Sequence, residues 1–198
     1  MKEVKVRLTF IEPILGSSSG NPVLHSDFIA SKAPDAKSKE EEVAAIGADE
    51  VEKKEMTVFP RTTEGIPFVW DYQIRGFFKH ACGVLKIIGG NESEKIKAHK
   101  KYIDTMVFVK ERKVIFDYDG QISSFQRPLR GQTAQGERIA LANSEMINAG
   151  AKIEFTIQLL NENLEKALYE WLDYGRFNGI GQFRNGSFGR FTWEKIDE

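Results

Sequence analysis

Lys152-Ile-Glu-Phe-Thr-Ile-Gln-Leu-Leu160, followed by Asn161-Glu-Asn-Leu-Glu-Lys-Ala-Leu-Tyr-Glu-Trp-Leu172, is the stretch that decides the fold. In its first half Ile153, Phe155, Ile157 and Leu159 alternate with polar residues, and a period of two places all four on one face of a strand. In its second half Leu164, Leu168, Trp171 and Leu172 recur at spacings of three and four, the apolar stripe of a helix, and Asn161 is a residue type that caps helix starts. A glycine-rich segment then runs into a last strand around Phe191-Thr-Trp193.

Working outward, the other end of the chain has the same plan. Val4, Val6, Leu8 and Phe10 alternate with Lys5, Arg7 and Thr9, a half-buried strand. Asp71 is the expected cap of a helix through Phe77, Phe78, Cys82, Leu85 and Ile88, and Gly89-Gly90 stops it. Met106–Lys110 and Lys113–Tyr118 read as strands around Glu111-Arg112, and Arg138–Asn143 as a further strand. A basic helix is expected from about Ser93, carrying Lys95, Lys97, His99, Lys100 and Lys101. Met56–Phe59 and Ile66–Trp70 flank Thr63-Glu64-Gly65 as a hairpin. With the hairpins set aside, the order is βαββαβ. The expected class is α+β: one ferredoxin-like (RRM-like) domain over residues 1–198, an antiparallel sheet with two helices on one face and hairpin insertions. Its other face is then open, a common platform for single-stranded RNA.

Composition narrows the functions. With 198 residues, 41% of them hydrophobic, and 14 Phe, the chain can bury a core of its own. Its net charge of −1 disfavours nucleic-acid binding by bulk positive charge but permits a local basic face. Residues 34–55 hold eight acids and four lysines, so the remainder is mildly basic. This region, 31–55, is expected to be an acidic mobile insertion or a solvated helix. A single cysteine, Cys82, excludes an internal disulfide framework and a cysteine-based zinc site. There is no run of 18 apolar residues, and Met1–Val6 alternates charge with Val. The expected setting is the cytoplasm, with no membrane partner and no cofactor.

Gly179, Gly181, Gly186 and Gly189 fall within eleven residues that also hold Arg184, with Arg190 following. Such a loop admits close backbone approach, and its N–H groups and arginines suit phosphate. It is neither a Walker loop, since no Gly-Lys-Ser/Thr follows, nor a dinucleotide fingerprint, since it leads into a strand.

Gly179-Ile-Gly181 with Ser187-Phe-Gly189-Arg-Phe191 resembles the C-terminal glycine-rich loop of the RAMP superfamily of CRISPR-associated RNA-binding proteins, with Ser187 at the place of the usual third glycine. Three more stretches are similar, in the right order: Gly20-Asn-Pro-Val23, Glu64-Gly-Ile-Pro through Arg75-Gly-Phe-Phe-Lys79, and Arg138 to Phe155. Arg75 stands at a usual lysine. The resemblance is to the backbone subunits of CRISPR effector complexes, and it implies a ribonucleoprotein of antiviral defense. It further implies single-stranded guide RNA as partner, together with other effector subunits or copies of this chain. In those subunits a hairpin corresponding to 121–136 forms a thumb that kinks the guide. Where the RNA-cleaving members carry an aspartate, this chain has Gly20, so cleavage by that route is not expected.

The expected RNA contacts are Arg75 and Lys79 at the first helix, Arg127 and Arg130 in the loop 124–136, and Arg184 and Arg190 with the four glycines. Arginine pairs with phosphate in a fork and stacks on bases. Of the aromatic series Phe177, Phe183, Phe188, Phe191 and Trp193, most are expected in the core, with Phe183 the candidate to stack on a base. An enzymatic alternative is a metal-independent CRISPR RNA-processing endoribonuclease with His25 as general base, assisted by Tyr72 or Lys79. His80 and His99 lack partners of metal-ligand spacing, the run Glu40–Glu42 reads as solvated, and Ser17–Ser19 lack a base. A third possibility is a stand-alone backbone mimic that docks on an effector and blocks it. The leading expectation is the non-catalytic RNA binder.

Overall fold

The computed structural model describes residues 1–19, 56–133 and 136–196, and for 129–142 the backbone alone. The chain runs through β1 (Lys2–Phe10), the short strands β2 (Ile14–Leu15), β3 (Ser18–Ser19) and β4 (Thr57–Val58), then β5 (Phe68–Trp70) and helix α1 (Asp71–Ile88). Helix α2 (His99–Met106) leads to β6 (Val107–Val109), β7 (Lys113–Asp117) and the long pair β8 (Ser123–Thr133) and β9 (Gly136–Ile147). Last come β10 (Lys152–Leu159), helix α3 (Glu165–Tyr174) and β11 (Phe191–Lys195).

The main sheet has the order β11-β1-β10-β7-β5, with β6 also on β10. Its central pairs are all antiparallel. Taking β6 and β7 together as the second strand gives the order fourth, first, third, second, so the fold is the ferredoxin-like α+β plan. That second strand is broken at residues 110–112. There the Lys110 N–H donates to the Thr156 carbonyl (2.9 Å), and the Thr156 N–H donates to the Glu111 carboxylate (2.7 Å). A side chain thus replaces a ladder carbonyl in the break.

Alternation along β1 and β10 decides which face is buried. Val4, Val6, Leu8 and Phe10 join Ile153, Phe155, Ile157 and Leu159 under Ile74, Phe77, Phe78 and Ala81 of α1 and Leu168, Trp171 and Leu172 of α3. Each such side chain contributes about 1.5–3 kcal/mol of hydrophobic stabilisation. Trp171 is wholly buried, and its indole N–H donates to the equally buried Ser93 hydroxyl (2.8 Å), so neither polar group is left unpaired.

The opposite face is charged and paired with itself. Arg7 on β1 donates to Glu154 on β10 (2.6 Å) and to Glu194 on β11 (2.8 Å). Glu3 accepts from Gln158 (2.8 Å) and from Lys110 (3.4 Å). Carboxylates thus already neutralise Arg7 and Lys110 on this face.

Several local expectations need correction. Asp71 is the first residue of α1 and not its cap: the N–H of Trp70 is taken by the Gln73 side chain (2.8 Å), while Asp71 pairs with Arg112 (2.9 Å) and Arg75 (3.4 Å). The basic helix does not begin at Ser93. Asn91 caps a single 3-10 turn, Glu92–Lys95, and α2 starts at His99 after Ala98 in the left-handed region (φ 47°). Asn161 likewise caps a 3-10 turn, Glu162–Leu164, which leads into α3. The turn at Thr63–Gly65 is present, closed by Thr62 N–H to Ile66 O (2.9 Å) with Gly65 at φ 83°, but its expected strands part. A single bridge joins Arg61 and Pro67, while β4 pairs with β3 and β9 and β5 pairs with β7.

The segment 121–136 is one arm and the tip of a longer feature. β8 and β9 pair from Ser123↔Met146 to Thr133↔Gly136, a two-stranded ribbon whose returning arm contains Arg138–Asn143. At its base β9 pairs with β2, and Ser144 bridges in parallel to Thr57 on β4. Among the described residues β8 bonds to β9 alone, and an edge strand of this kind tolerates Pro128. Gly20–Val23, His25 and the acidic segment 31–55 lie outside the described residues.

Candidate nucleic-acid interface

The glycine loop is built on its own backbone. The Ile180 N–H donates to Gly189 O (3.0 Å), and the Gly189 N–H donates to Pro13 O (2.7 Å). A Cβ on Gly179 would overlap the Gly189 carbonyl, and one on Gly189, at φ 71°, would overlap the Ile180 carbonyl. Gly186 lies against the Phe183 ring, and Gly181, at φ 95°, has the Leu15 carbonyl 3.0 Å from where its Cβ would stand. Internal close packing therefore accounts for these glycines before any ligand approaches. Ser187 adopts φ 70°, the left-handed region that favours glycine at this place.

The loop meets the base of the ribbon through aromatic rings. The Arg127 guanidinium of β8 lies over the Phe183 ring, 4.3 Å from its centroid. Phe183 is 5.7 Å from Phe188, which is 4.8 Å from Phe125 on β8. A polar contact ties the same elements: Thr57 hydrogen-bonds Ser144 (2.7 Å) and donates to Gln182 (3.3 Å). On the flank, Arg61 forms a forked pair with Glu145 (2.6 and 3.1 Å), which also accepts the Phe59 N–H (2.8 Å). Glu12, Pro13, Phe125, Met146 and Phe188 line a cleft of about 340 Å³ at this junction.

The expected cations differ in what already holds them. Arg75 pairs with Asp71, Lys79 with Asp104 on α2 (2.5 Å), and Arg190 with Glu12 (2.7 Å). Arg127 rests on a ring, and Arg184 has no ion pair among the described residues. Arg130 lies opposite Ile139 in the ribbon, with its side chain outside the described set. The loop, Arg127, Arg184 and Arg190 are thus brought together, whereas Lys79 is bound to α2.

His80 on α1 is pushed below the usual imidazole range, first by burial and then by the charge of Arg184. Tyr72 stacks on Trp70 (6.0 Å, 16° between planes), and Arg112 lies over Trp70 at 5.4 Å. Among the described residues no group of three His, Cys, Asp or Glu is placed to hold a metal ion, and no helix is long and apolar enough to cross a membrane.

Sequence reasoning missed Phe177. Placed with the core aromatics, it is instead 75% exposed, just beyond the end of α3. The available signal was its position: Phe177 follows Gly175-Arg176 and falls outside the stripe of Leu164, Leu168, Trp171 and Leu172.

No protein-family model and no curated protein matches the sequence. Among solved structures, the chain is similar in fold to a chain in the cryo-EM structure of the Type III-B Cmr-beta bound to cognate target RNA, with a TM-score of 0.51 at 10% identity. The likeness covers 98% of this chain and 59% of that one.

Proposed function

We propose that this protein is a non-catalytic, CRISPR-associated RNA-binding protein that holds single-stranded guide RNA where the glycine loop meets the β8–β9 ribbon. One observation carries the reading above the others: Arg127 from the ribbon stacked on Phe183 from the loop, next in sequence to Arg184, which has no ion pair among the described residues. A planar cation backed by a ring keeps its charge and its fork of donors for phosphate. The ribbon takes the part of the thumb, and other effector subunits or further copies of the chain complete the RNA channel. The resemblance of the glycine loop and the fold shared with a chain of an RNA-bound Cmr-beta complex support the same reading.

The test mixes the full chain, with EDTA present, with labelled single-stranded RNA and with a repeat hairpin, and follows retention and cleavage. The expected result is retention without cleavage, weakening with salt by about 0.7 log units per log unit for each phosphate contacted. Cleavage of the hairpin, lost in His25→Ala, would overturn the reading in favour of a processing enzyme. Absence of retention at low salt would overturn it too.

A further inference from the structure

Phe177 is the one phenylalanine among the described residues that stands largely in solvent, at 75% exposure. Its backbone is nonetheless fixed. The N–H groups of Gly175, Arg176, Phe177 and Asn178 donate to Leu172, Asp173, Tyr174 and Tyr174 carbonyls, at 3.0, 3.3, 2.9 and 3.2 Å. Gly175 O in turn accepts the Phe191 N–H (3.0 Å), and a Cβ on Gly175 would run into the Phe191 ring. The turn is therefore pinned to β11, and it holds an apolar ring out into water at a hydrophobic cost.

The ring has a backing on one side only. Tyr174 is 6.4 Å away, and Tyr174 stacks in turn on the buried Phe77 (6.4 Å, 25°). A cation without an ion pair among the described residues accompanies this row. Arg176 is exposed and adjacent to Phe177 in the chain. The His80 ring stands 6.0 Å from that of Tyr174. The nearest acid in the turn, Asp173, accepts the Trp193 indole N–H (2.9 Å). Phe183 offers less: Arg127 already lies over its ring and Phe188 is beside it.

An exposed ring with an aromatic neighbour and an adjacent exposed arginine matches the chemistry of a single-stranded nucleotide, which offers a π-face next to a phosphate. We propose that Phe177 stacks on a base of single-stranded RNA, with Arg176 taking a neighbouring phosphate. The inference rests on the RNA-binding reading above and adds a stacking residue to it.

The experiment measures binding of the full chain to a U-rich RNA and to a strand of equal length with abasic positions. Phe177→Ala should weaken binding to the base-bearing RNA by roughly 5- to 100-fold and leave the abasic strand unaffected. F177W should retain binding, and its added emission should change when RNA is bound. Arg176→Ala should lower the salt slope by about 0.7. Equal affinity of wild type and Phe177→Ala for the base-bearing RNA overturns the stacking role while leaving RNA binding intact. That outcome combined with loss of a protein partner would make Phe177 a docking residue. If the wild type binds neither strand at low salt, the RNA-binding reading itself falls, and this inference with it.

Discussion

The Arg127 guanidinium lies over the Phe183 ring at 4.3 Å, so a residue of the β8–β9 ribbon and a residue of the glycine loop form one unit. The pair couples two elements that share no backbone hydrogen-bond ladder, and a cation–π contact of this kind contributes about 0.5–2 kcal/mol. Arg127→Ala and Phe183→Ala should each reduce RNA affinity, and their double mutant should lose less than the sum of the two. Strict additivity in that cycle would show that the contact does not organise the interface.

Gly189→Ala introduces a side chain at φ 71° and against the Ile180 carbonyl. Strain and overlap together should cost more than about 2 kcal/mol of stability, read in denaturant unfolding. A loss below about 0.5 kcal/mol would mean that the loop can open without unfolding the domain.

Gly76 presents the opposite case. It sits inside α1 with nothing within 4 Å of where its Cβ would be. Gly76→Ala should therefore stabilise the fold by about 0.5–1 kcal/mol. If the RNA backbone approaches the first helix here, the more stable variant should bind RNA less well. Unchanged binding would remove Gly76 from the interface.

Glu111 tests the broken second strand. Glu111→Ala strands the Thr156 N–H, whose residue is only 8% exposed, and should cost about 1–3 kcal/mol. Glu111→Gln keeps an acceptor oxygen and should recover most of that loss. Equal destabilisation by both would point to charge, not the hydrogen bond, as what matters.

His80 gives a pH dependence of known sign. Its folded pKa lies below 6.5 because of burial and then Arg184, so the unfolded chain takes up a proton first as pH falls. Stability should decline as pH drops below about 6.5 and continue to fall until the folded pKa is passed. His80→Gln should flatten that decline. In Arg184→Ala the imidazole should titrate at higher pH by NMR; no movement would separate Arg184 from His80.

What the sequence made legible was the periodic part of the chain. The alternation of β1 and β10 and the stripe of α3 face one core, so their patterns survive in the burial of Val4 to Phe10 and Ile153 to Leu159. The ribbon was legible only in part. Ser123–Thr133 carries no apolar alternation in its sequence, and Pro128 and Gly131 read as loop. Cations were visible as residue types, but their counter-ions come from distant elements: Asp104 for Lys79, Glu12 for Arg190. Phe177 was hidden by its own chemistry, since an apolar ring is placed inside by default.

On the side of β1 away from β10 the sheet continues with β11, and the glycine loop is latched to Pro13, just after β1. The earliest strand of the domain therefore waits for the latest to close its edge. A chain cut short before Phe191 retains the residues for the ribbon, α1 and α3, yet lacks the last strand against which the loop is set. Competence to hold a ligand at that junction should appear in one late step of folding, and a nascent or C-terminally clipped molecule should be inactive even where most of its residues have been made.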